Sequence, residues 1–140
     1  VYELNRIKNG ADFVTPEGEV IPNHRLTRPS APARKYAYCS DTIYRPEIVD
    51  QIKGVDLLFH EATFAQTEQA RAKETHHTTA AQAAQMALNA EVKQLVIGHF
   101  SARYEDETVL LNEAAAIFPQ TILARENMCI ELEGGAVHEK

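Results

Sequence analysis

The sequence predicts an α/β fold with largely parallel central strands and short antiparallel strands near its end. Two observations carry this. From Lys35 onward, apolar runs of strand length alternate with segments of helical periodicity. Turn-forming glycines and prolines sit between these segments rather than inside them.

The elements follow in order. Residues 1–35 read as an irregular lead-in, punctuated by Gly10, Pro16, Gly18, Pro22, Pro29 and Pro32, with TPEGEVI as a hairpin turn and no helix of its own. Residues 36–140 read as the regular α/β part of the same single domain. There KYAYCS is a strand, and RPEIVDQIKG is a helix with Pro46 near its start and Gly54 past its end. DLLFHE is a buried strand. TTAAQAAQMALNA is a helix whose Thr79 and Gln82 fit a capping box. QLVIGH is a second buried strand. In EDETVLLNEAAAIF, Leu110, Ala114, Ile117 and Phe118 fall on one helical face, and Glu105, Asp106 and Glu107 are expected in the first turn, where the helix dipole favours anions. TILARE and MCIELE close the chain as two short strands around Glu126-Asn127.

The totals narrow the functional classes. At 140 residues the chain is one domain's worth, or part of a larger one, with an ordinary soluble composition, 44% hydrophobic and 24% charged. A net charge of −6 argues against a general nucleic-acid binder. From Asn23 to Ser40, however, there is no acidic residue, and Arg25, Arg28, Arg34 and Lys35 make either a polyanion contact or a solvated basic loop. No apolar run approaches a membrane span, and no basic-then-apolar signal pattern opens the chain. Cys39 and Cys129 stand far apart with no CxxC, so free thiols and a cytoplasmic location are expected.

In an open α/β sheet, ligands bind beyond the carboxyl ends of the strands. Three strands here end in polar residues: KYAYCS before Asp41-Thr42, DLLFHE in His60-Glu61, and QLVIGH in His99. The Asp41 carboxylate and the His99 imidazole together suit zinc or manganese. Each also has a plain structural reading, Asp41 as a turn or helix cap and His99 as a hydrogen-bonded, half-buried side chain. His76-His77 precedes a helix N-terminus, a place that favours phosphate, and an imidazolium there could protonate a departing oxygen. An exposed polar loop is the alternative. Arg103 could fork onto a phosphate, or pair with Glu105 or Asp106. There is no G-x-S-x-G elbow, P-loop or dinucleotide fingerprint.

Taken in order, YCSDT, LLFHEATF, HHTTAAQAA, LVIGHFSARY and FPQTILARENM resemble the C-terminal half of ribonuclease Z, across nearly the whole chain. That family consists of metallo-β-lactamase-fold endonucleases that remove the 3′ trailer of precursor tRNA. The resemblance implies half of an αβ/βα sandwich, with a mixed sheet flanked by helices. It implies two zinc ions, with manganese possible, bridged by Asp41 and ligated by His99. It makes His77 the catalytic histidine; the spacing to Gln82-Ala83-Ala84 favours it over His76. Arg103, Ser101 and Thr79 would bind substrate phosphate, and His60 and Glu61 would support the site, His60 not as a usual ligand. Precursor tRNA and a homodimer are the implied partners, without a membrane.

The family's HxHxDH motif and a further histidine ligand do not occur in these 140 residues. The chain alone is therefore expected to form no productive dinuclear site, to bind metal weakly or not at all, and to leave precursor tRNA uncut. Two other readings follow from the same residues: a metallo-β-lactamase-fold phosphodiesterase with another substrate, or a non-catalytic half-domain acting through association. Half of a sandwich exposes an apolar sheet face, which favours the last.

Overall fold

The structure, a computed structural model, describes residues 2–28, 32–133 and 136–139. Pro29, one of the punctuating prolines, lies outside them. The chain divides into two compact units, residues 1–32 and 33–140.

The first unit contains a helix that the sequence reading did not expect, α1 (Tyr2–Lys8). Its C-terminal signal was Gly10, whose N–H donates to the Ile7 carbonyl and whose φ of +94° is the left-handed conformation glycine adopts there. The expected hairpin is present as β1 (Phe13–Val14) and β2 (Val20–Ile21), antiparallel. Asn23 opens the short α2 (Asn23–Leu26), and its side-chain amide donates to the carbonyls of Ile7 and Ala11, tying the hairpin's exit to the end of α1.

The second unit is built on four strands, β3 (Tyr36–Cys39), β4 (Leu57–Glu61), β5 (Gln94–Gly98) and β6 (Thr121–Leu123), in that spatial order and parallel throughout. A 3-10 helix, Pro46–Gln51, links β3 to β4, in place of the expected α-helix. The β4–β5 connection carries α3 (Gln69–Glu74) and α4 (Ala80–Asn89), and α5 (Thr108–Ile117) joins β5 to β6. Since a helix intervenes between β5 and β6, the chain returns to the same end of the sheet, and β6 enters parallel rather than antiparallel. The antiparallel pairing near the end belongs instead to β7 (Ile130–Glu133) and β8 (Ala136–Glu139).

Strand alternation sorts the side chains. Leu58, Leu95, Ile97 and Leu123 point to one face and pack with Ala83, Ala84, Met86 and Ala87 of α4 and Leu110 and Ala114 of α5. Phe118 is buried there and Ile117 is partly buried against the same cluster, as the helical spacing predicts. The opposite face presents Tyr36 and Tyr38, 55% and 64% exposed, with Tyr38 stacked on Phe59 at 4.7 Å between ring centroids. Both cysteines are free thiols. Among the described residues no helix is long and apolar enough to cross a membrane.

Candidate metal and phosphate site

The carboxyl ends of β3, β4 and β5 lie side by side, β4 in the middle. Asp41 lies just past β3 and His99 directly follows β5, and both are left-handed, with φ of 48° and 60°. Non-glycine residues seldom take that conformation, and where they do a local function often holds them there. The turns bring Asp41 Oδ1 to 3.3 Å from His99 Nε2. One ligand atom from each of Asp41, His77 and His99 lies within 4.8 Å of the other two. Two ligands at about 2.0–2.1 Å from a tetrahedral zinc stand about 3.3–3.4 Å apart, so the Asp41–His99 pair has the spacing of one coordination edge.

Glu61 ends β4 and is fully buried. Its carboxylate accepts from the backbone N–H of Thr42 and of Thr78, from the Thr63 hydroxyl at 2.6 Å, and from His77 Nδ1 at 3.0 Å. Four donors from three segments make this a satisfied buried acceptor, affordable in the core for that reason. With Nδ1–H committed to Glu61, His77 turns Nε2 outward, its ring centroid 5.4 Å from that of His99.

The tautomer of His99 follows from Thr63. Its Oγ1 lies 2.6 Å from Glu61 Oε2, 2.9 Å from the His99 carbonyl oxygen and 3.0 Å from His99 Nδ1. The hydroxyl has one proton, and both oxygens can only accept. Giving that proton to the ring would leave two close oxygen–oxygen contacts with none between them. The proton therefore goes to oxygen and His99 Nδ1–H donates to Thr63, which leaves Nε2 as the ring nitrogen facing the Asp41 carboxylate. An imidazole nitrogen and a carboxylate oxygen 3.3 Å apart can share a proton or flank a metal cation.

The remaining expectations divide. His60 is on the opposite face of β4 from Glu61; it is 1% exposed, and its Nδ1–H donates to the Glu61 carbonyl at 2.8 Å. Burial pushes its pKa below the ordinary histidine value. His76 is exposed in the left-handed position that ends α3, so His77 alone of the doublet reaches the site. The Thr79 hydroxyl, expected at phosphate, is engaged within the chain. Thr79 is fully buried, its Oγ1 accepts from Gln82 N–H and donates to Gln66 Oε1, and the capping box with Gln82 is complete. The N–H groups of Thr79, Ala80 and Gln82 are likewise taken, by Gln82 Oε1, the Phe64 carbonyl and Thr79 Oγ1, so this helix start offers little to an anion. Arg103 pairs with Glu68 at 3.0 Å rather than with Glu105 or Asp106. Its guanidinium also lies 5.0 Å over the Phe64 ring, and its Nε donates to Ser101 Oγ at 3.3 Å. Thr63 was the residue missed, although a position two beyond Glu61 in extended chain shares its side.

No protein-family model matches the chain. It is 94% identical over 132 residues to a ribonuclease Z of Bacteroides thetaiotaomicron, 79% identical over 132 residues to one of Bacteroides fragilis and 55% identical over 130 residues to one of Porphyromonas gingivalis. These matches cover 93–94% of this chain but only 42–43% of each relative, so the chain spans about two-fifths of their length. Among solved structures it is similar to the metallo-β-lactamase-fold protein YhfI of Bacillus subtilis, with a TM-score of 0.62 at 20% identity over 77% of this chain and 41% of that one. It is also similar to a long-form RNase Z from yeast, with a TM-score of 0.52 at 26% identity over 62% of this chain and 12% of the other.

Proposed function

We propose, on the premise that this chain is ribonuclease Z-family sequence in the metallo-β-lactamase fold, that it forms one wall of a metal-dependent endoribonuclease site. The whole protein would hydrolyse a phosphodiester of precursor tRNA to release the 3′ trailer. The observation that carries this is the Asp41–His99 pair, set at coordination spacing by two left-handed turns.

Asp41 and His99 would hold zinc, or manganese in its place, with further ligands for a two-ion site supplied from outside these 140 residues. When bound, such ions polarise the phosphoryl oxygens and lower the pKa of a bound water. His77 would carry a proton on Nε2 for the departing 3′ oxygen, while Glu61 holds Nδ1–H and stabilises the charged ring. Arg103 would exchange its Glu68 contact for a phosphate oxygen, with the Ser101 hydroxyl beside it as a second donor, a trade that costs little because the Arg103–Glu68 pair is half-exposed. A cytoplasmic location and a homodimer belong to the same proposal, as do residues 1–35 as the lead-in to a single domain.

The test is Mn²⁺ titrated into the isotope-labelled chain. Weak but selective broadening of Asp41 and His99 resonances at millimolar ion is expected, and broadening that spares both while affecting other carboxylates and histidines would sink the reading. Cleavage of a trailer-bearing precursor by the longer protein should fall by several orders of magnitude in His77→Ala. The chain alone should not cleave. A non-catalytic associating half-domain gains support from exposed Tyr36 and Tyr38; light scattering on the chain distinguishes monomer from dimer.

A further inference from the structure

We propose that the cavity lined by His77 but not by His99 is a nucleobase pocket, taking the base of an RNA residue next to the phosphate at the site. This rests on the phosphodiesterase reading above.

The cavity has a volume of about 450 Å³ and is lined by Ile43, Tyr44, Gln69, Lys73, His77 and Gln82. Tyr44, Gln69 and Gln82 also line a smaller cavity of about 280 Å³, together with Gln85 and Ile117. No acidic side chain lines either space, in a chain with 20 acidic residues. The cavity beside His99, by contrast, has two carboxylates, Glu107 and Glu126, against the single guanidinium of Arg125 in its wall, a less favourable lining for a polyanion.

The polar groups are pre-set as donors. Gln82 Oε1 is committed to Thr79 N–H, so its Nε2 is left to donate. Thr79 Oγ1 donates to Gln66 Oε1, and Gln66 Nε2 donates to Gln69 Oε1, which leaves Gln69 Nε2 free in the same way. Lys73 has no carboxylate partner among the described residues. Thr79, expected from sequence to touch phosphate, thus acts by orienting two amides. Two amide donors, an ammonium, and the Tyr44 ring beside Ile43 match a flat ligand whose edge carries acceptors and whose tail is anionic. A base with adjacent acceptors, such as cytosine with O2 and N3, has that character, and stacking on an aromatic tolerates the rest of its face.

The test needs no metal. Cytidine 5′-monophosphate is titrated into the ¹⁵N-labelled chain, with ribose 5-phosphate as the baseless control. Saturable shifts at Tyr44, Gln69, Lys73 and Gln82 with the nucleotide, at least fivefold weaker with the sugar phosphate, are expected. Tyr44→Ala should weaken the nucleotide at least fivefold, and the exposed Lys73→Ala about threefold, with Lys53→Ala unchanged. Equal binding of nucleotide and sugar phosphate, or no shift at 10 mM nucleotide, about ten times the ~1 mM dissociation constant expected for a stacked base held also by two amide donors and an ammonium, overturns the pocket. In either case manganese broadening at Asp41 and His99 judges the metal reading separately.

Discussion

Replacing Thr63 with valine tests the hydrogen-bond logic of the site without changing its volume. Thr63 is 6% exposed and its hydroxyl joins Glu61 to His99. Valine keeps the branched shape and deletes one donor and one acceptor. Glu61 retains Thr42 N–H, Thr78 N–H and His77 Nδ1, so its loss is one of four partners. A hydrogen bond to a charged group contributes about 1.5–3 kcal/mol. The His99 side chain is 40% exposed and can turn its freed N–H to water, so that half adds little. The expected destabilisation is about 2 kcal/mol in urea unfolding. The more specific effect is on His99. Long-range ¹H–¹⁵N spectra of the parent chain should show Nδ1 protonated and Nε2 with a free lone pair, and Thr63→Val should mix the two tautomers. Thr63→Ser, which keeps the hydroxyl, should restore the parent pattern. A parent chain with its proton on Nε2, or a Thr63→Val variant as stable as the parent with His99 unchanged, would refute the bookkeeping.

Three further outcomes follow from the same geometry. His60 is buried, and burial lowers its pKa below the unfolded value near 6.5. The unfolded chain therefore binds a proton first, so stability is fully present above about pH 6.5 and falls as the pH drops toward the folded pKa; urea midpoints from pH 7.5 to 5 should show this slope, and His60→Gln should flatten it. Gly98→Ala would place a Cβ 2.8 and 2.9 Å from two ring carbons of Phe59, itself held against Tyr38, and should cost about 1–3 kcal/mol, with Phe59→Leu in the same chain recovering most of it. Asp41→Gly relieves a left-handed aspartate and should leave stability within about 0.5 kcal/mol while abolishing manganese broadening at His99. A large loss of stability would make Asp41 structural instead.

What the residues revealed in advance, and what they hid, divides along range. Local signals carried through: the Thr79–Gln82 capping box, the β3, β4 and β5 runs, and the helical face of Leu110 and Ala114 are each written within a few positions. Local signals also misled where one atom had two uses. The Thr79 hydroxyl, expected at phosphate, caps α4 through its oxygen and gives its proton to Gln66. Glu105, Asp106 and Glu107 precede α5 rather than filling its first turn, because Asp106 accepts from Thr108 N–H and starts the helix later. Long-range choices could not be read at all. Arg103 had nearby acids at 105 and 106, yet its partner is Glu68, 35 positions away, brought there by the turn into α3. The spacing of Asp41 to His99 depends on two strands that are not adjacent, and nothing in either strand encodes it.

That spacing is set by the strand between them. β3 and β5 do not pair with each other; β4 pairs with both, so the distance across the site is two strand separations, about 9–10 Å at the backbone. Side chains leaving straight strand ends would not close such a gap. The left-handed turns at Asp41 and His99 close it, bringing carboxylate and imidazole to 3.3 Å. Strain of this kind persists only where neighbours over-determine it, and the neighbours come from β4 and the extended residues after it. Glu61 holds the Thr42 N–H one residue past Asp41, and Thr63 holds both the ring and the carbonyl of His99. The middle strand thus fixes Asp41 and His99 in their facing positions and, through His77 Nδ1, the histidine beside them.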